Sequence, residues 1–73
     1  MNPEIEALVN EMMAKSRLYI KAIDEREEAL ETICKSDSKQ TETAWLAAVN
    51  VAKDAHEKLD AAIAHLHAAL QKR

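Results

Sequence analysis

The chain has 73 residues, a formal net charge of -3, one proline, one cysteine and no glycine. That length holds one domain, and the missing glycine excludes a phosphate-cradling glycine loop. A lone cysteine excludes an intrachain disulfide and, with no secretory leader in the sequence, points to a reducing, cytoplasmic setting.

Asn2 is placed to cap a first helix, and Pro3 stands at its first position, where the missing N–H costs nothing. Glu4 and Glu6 follow near the positive end of the helix dipole. The pattern predicts a helix over about 3–35, ending at Lys35, whose cation suits a C-terminus. Advancing about 100° per residue, Ile5, Leu8, Val9, Met12, Met13, Tyr19, Ile20, Ile23, Leu30, Ile33 and Cys34 share an arc of roughly 160°. One neighbouring helix cannot cover an arc that wide, so a partner is implied. Ser36, Asp37 and Ser38 form a short polar turn over about 36–38. Asp37 or Ser38 caps the next helix, with Asp37 and Gln40 at capping-box spacing.

The second helix is predicted over about 39–72. Trp45, Ala48, Ala52, Ala55, Leu59, Ala62, Leu66 and Ala69 fall on alternating three- and four-residue steps, a coiled-coil seam. Val49, His56, Ile63 and Leu70 flank it at seven-residue spacing. Small seam alanines let a facing backbone approach, while the larger flanking side chains reach toward a further helix. The longest mainly apolar run, 44–52, is too short to cross a bilayer, so the chain reads as soluble with no membrane partner.

These elements make an all-α fold: one domain over 1–73, an antiparallel hairpin of two long helices, pairing as a homodimeric four-helix bundle. A two-helix layer cannot enclose a core, and apolar burial in so small a scaffold roughly cancels its conformational cost unless association adds to it. The expected core and dimer positions are Leu8, Met12, Tyr19, Ile23, Leu30, Trp45, Ala52, Leu59, Ile63 and Leu66. A turn near Asp37 sets Leu30 near Leu46, Ile23 near Lys53, Tyr19 near His56 or Leu59, and Met12 near Ala64. In outline the plan is similar to that of the plasmid copy-number regulator Rop, although no stretch aligns with it and no RNA-binding residue carries over. Small phage-encoded inhibitors and type III secretion co-chaperones include hairpins of this size, and no motif here marks either.

Lys15, Ser16, Arg26, Glu27, His56 and His67 interrupt the apolar pattern. The plain reading places them at the seam edge, stems covered and charges in water. Arg26, if enclosed, would need a carboxylate such as Glu27 of another chain.

No catalytic constellation is visible, and an enzyme is not expected. His65 and His67 lie about 200° apart on a helix and cannot chelate one ion from the same chain. His56 and Asp60 can share a face, but a metal would need further ligands from elsewhere. Neither helix carries the Glu-x-x-His motif of bundle di-iron sites. Cys34 has no histidine near it in sequence and reads as a small apolar residue. No cofactor or metal is expected.

The net charge comes entirely from residues 1–35, with eight acids against five bases; the remainder balances at five and five. Asp24, Glu25, Glu27, Glu28 and Glu31 crowd into two turns, and carboxylates there gain nothing from the dipole. Such a cluster is by default a solvated face, and as a site it would dock a basic surface. Leu18 and Leu46 point away from the expected core, while Met13 and Ile20 at its edge, with the edge of the second helix, line the expected groove for a partner helix. Candidate partner-binding residues are thus Asp24, Glu25, Glu28, Glu31, Leu18, Leu46, Met13 and Ile20. The acidic balance and the scarcity of aromatics argue against nucleic acid, since Lys15, Arg17, Lys21, Lys53 and Lys58 form no obvious stripe. The expected function is a small protein-binding regulator or inhibitor acting as a homodimer on a protein with a basic or helical surface. A secretion-type co-chaperone completed by a different subunit ranks second, and Rop-like nucleic-acid binding third.

Overall fold

The computed structural model of the chain describes residues 2–72, which form two helices, α1 (Pro3–Lys35) and α2 (Lys39–Lys72), packed against each other as an antiparallel hairpin. The Asn2 Oδ1 accepts from the Glu4 N–H at 2.8 Å, occupying one of the donors that a helix start leaves free. At the far end the Ser36 N–H donates to the Thr32 carbonyl at 2.9 Å and closes the last turn.

The reversal then occurs within three residues. No described residue has a positive φ, so the chain turns without the left-handed residue that glycine usually supplies. Thr41 holds the turn together. Its Oγ1 accepts from the Ser38 N–H at 2.9 Å, while the Thr41 N–H donates to the Ser38 Oγ at 3.2 Å. The Thr41 hydroxyl proton has two carbonyls in reach, Ser36 at 3.0 Å and Ser38 at 2.9 Å. This reciprocal pair satisfies two orphan donors at once, and it corrects the expected Asp37–Gln40 box. Ser38 is the residue immediately outside α2, so its hydroxyl, not the Asp37 carboxylate, is in reach of the first free N–H groups.

Each helix of this length spans roughly 50 Å, and the molecule measures 53 × 15 × 12 Å, so the two rods lie side by side over their full length. Register is fixed by Tyr19 and His56, whose rings sit 5.2 Å apart at 52°, one of the two neighbours expected for Tyr19. Near the other ends, Leu30 and Leu46 share one hollow, as the turn position predicts.

The interior is thin. Its buried apolar residues are Ile5, Ala22, Ala52 and Ala62. Leu8, Met12, Tyr19, Ile23, Trp45, Leu59 and Leu66 line the seam but remain half-buried. Leu30 and Ile63, placed by sequence among the core and dimer positions, are 48% and 45% exposed and lie outside the hairpin's own core. A compact monomer of this mass exposes roughly 4,500 Å²; this hairpin exposes 5572 Å².

Candidate functional site

The uncovered apolar side chains are not scattered. Among the described residues, Met13, Leu18, Ile20, Leu30, Leu46, Val51 and Ile63 are the large exposed ones. At about 100° per residue, Met13 and Ile20 fall together on one flank of α1 with Leu30 between that flank and the seam, and Leu46 falls on the matching flank of α2 with Ile63 between it and the seam. These five, with Val9, Ile23 and Val49 beside them, form one face of the hairpin. Leu18 and Val51 belong to the opposite face, across a groove of about 290 Å³.

The open face is apolar toward both ends and polar in the middle. Beside the turn, Leu30, Ile33, Trp45 and Leu46 line a hollow with Asp37 and Glu42 at its rim. Farther along, Tyr19, Arg26, Val49, Ala52, Lys53 and His56 line a second one. Here the His56 Nδ1 lies 3.5 Å from the Asp60 Oδ2, an i,i+4 pair in which both side chains are more than half exposed. Arg26 is half-buried, Glu27 is exposed, and among the described residues neither enters an ion pair. Cys34 is exposed near the turn.

On the opposite face the groove draws together Lys15, Lys21 and Lys58, with Leu18 and Val51 at its floor edge. No local pattern signals this convergence, because the three lysines are spread over two helices and meet only in the correct register. Glu25 and Asp54 line the same groove, and Lys58 is held by Asp54 at 3.0 Å. The groove is thus of mixed charge.

The acidic residues lie elsewhere again. Asp24, Glu28 and Glu31 are all exposed along the outer side of α1, with Asp24 and Glu31 bordering the flank of Met13 and Ile20, while Glu25 lines the lysine groove. Among the described residues none of these four enters an ion pair. The proposed partner-binding set is therefore split over three surfaces: Met13, Ile20 and Leu46 on the open face, Leu18 on the groove face, and the acids on the ridge and groove edge.

Among the described residues no three His, Cys, Asp or Glu side chains converge as metal ligands, and no helix is long and apolar enough to cross a membrane. No protein-family model, curated protein or solved structure matched the chain.

Proposed function

We propose that this chain acts as a homodimer, two hairpins closing into an antiparallel four-helix bundle, and serves as a small non-enzymatic regulator or inhibitor that binds another protein. The observation that carries this reading is the open face, where five large apolar side chains on two helices lie together on one side. A second copy of the same face supplies the missing layer at the helix spacing that bundles use. With that face occupied, the acidic ridge of α1 remains outward and unpaired, free to meet a basic surface on a partner and to steer its approach at low salt.

Light scattering coupled to size exclusion tests the assembly, with twice the chain's 8.2 kDa expected at low micromolar concentration. The open face equally suits a different subunit, which is the co-chaperone reading. That reading gains if the isolated chain is a poorly helical monomer that becomes helical only with a second protein. Retention on heparin that survives physiological salt would instead favour nucleic acid, through Lys15, Lys21 and Lys58.

A further inference from the structure

The open face also contains information about how two copies meet. We infer that the hairpins pair with their turns at opposite ends, about a twofold axis that crosses the rods at the level of Tyr19 and His56. This rests on the homodimer reading above and specifies its geometry.

The area calls for one large contact. The hairpin exposes about 1,000 Å² more than a compact monomer of its mass, and a stable interface takes roughly 800 Å² from each partner. A second copy of a rod 53 Å long supplies that only if the two overlap from end to end. Tyr19 and His56 are in contact and lie near the midpoints of α1 (Pro3–Lys35) and α2 (Lys39–Lys72). Full overlap therefore puts any perpendicular twofold axis at their level.

Two stackings give full overlap, and the side chains distinguish them. With the turns together, α1 lies over the partner's α2 at equal height. Leu30 then meets the partner's Leu46, and Met13 meets the partner's Ile63. However, Ile23 faces the partner's Lys53, Glu27 faces the partner's Val49, and Arg26 and Lys53 of both copies fall within about one helical turn of each other. Four cations so close repel, at a cost that grows as water leaves. With the turns opposed, α1 lies over the partner's α1 and α2 over the partner's α2. Val9 then meets the partner's Leu30, Ile20 meets the partner's Ile20, and Val49 meets the partner's Ile63. Lys53 falls opposite the partner's Asp60, two ion pairs per dimer, and the cation layers are drawn apart along the axis. By the same counting Met13 falls opposite the partner's Arg26 and Ile23 opposite the partner's Ser16, so the opposed arrangement rests on the Val9, Ile20 and Val49 apolar pairings and on Lys53 meeting an anion, where the turns-together packing sets Lys53 and Glu27 against apolar side chains. It also puts both acidic ridges on one side of the bundle, with the two Glu28 about 27 Å apart along it at 1.5 Å per residue.

Cys34 is the chain's single cysteine, is exposed and sits near the turn, so it takes a nitroxide label without any substitution. Pulsed dipolar spectroscopy on the labelled full-length chain should give a distance of about 45 Å, from twice the axial offset between residue 34 and the midpoint of α1. Turns-together packing should give less than about 20 Å, the width of two helix spacings. Light scattering on the same sample separates the two ways of failing. A monomer overturns the homodimer reading and this geometry with it, whereas a dimer with the short distance overturns the geometry alone. Charge exchange provides an independent check: Lys53→Glu should weaken dimerisation several-fold, and adding Asp60→Lys should restore it. Absence of rescue by the double exchange would contradict the Lys53–Asp60 pairing.

Discussion

Ala52, only 2% exposed, shows what the seam requires of a single residue. Its methyl group fills a space that a larger side chain cannot enter, so the helices approach through alanine and pack larger residues at the flanks. Ala52→Leu should cost about 1–3 kcal/mol through overpacking, read as a lower urea midpoint of the helical circular dichroism. An unchanged midpoint would mean the seam is not close-packed there. Thr41 makes a comparable case at the turn. Thr41→Val removes the acceptor for the Ser38 N–H and the donor to the Ser36 and Ser38 carbonyls, and should cost about 1 kcal/mol. Thr43→Val serves as the contrast, since the Thr43 hydroxyl only donates back to the Lys39 carbonyl within the helix. Its effect should be smaller in the same denaturation experiment.

At the scale of the element, the two faces of the hairpin make a paired prediction. The double variant Leu30→Ser and Ile63→Ser changes residues that are half exposed in the single chain, where surface substitutions usually move stability by no more than about 0.5 kcal/mol. If the open face is an interface, the same variant should shift the dimer strongly toward monomer, seen by sedimentation equilibrium. Leu18→Ser with Val51→Ser, both somewhat more exposed on the groove face, should leave the mass unchanged. Helix limits and register were readable in the sequence because they depend on local chemistry and counting: Asn2 and Pro3 mark a start, Lys35 an end, and a three-residue turn leaves little freedom in pairing. The split of the apolar arc was not readable. A helical wheel gives Leu30 the same standing as Met12, and only the position of α2 reveals which of them the hairpin covers. The choice of Ser38 over Asp37 as cap was hidden for a related reason, since adjacent polar residues both suit the role. The lysine groove needs the register of two helices and has no local signal at all.

Over the whole molecule, the bases share both faces with apolar side chains, while the unpaired acids gather along α1. The acidic ridge repels itself: Asp24 and Glu28 are four apart, and Glu28 and Glu31 three apart, spacings at which like charges destabilise a helix by about 0.2–0.5 kcal/mol each. Glu28→Gln should therefore raise stability by about 0.5 kcal/mol at low ionic strength, and the gain should vanish near 1 M salt, where the screening length falls to about 3 Å. A feature that weakens its own helix is accounted for if the ridge meets a cationic partner, and binding to such a partner should fall with the same variant. All of this presumes that the open face is closed by a second copy. The most direct test is the mass of the isolated chain by size exclusion with light scattering, together with its helicity, at low and moderate salt. The account predicts a highly helical dimer at both. A weakly helical monomer would contradict it and make the open face the seat of a different subunit.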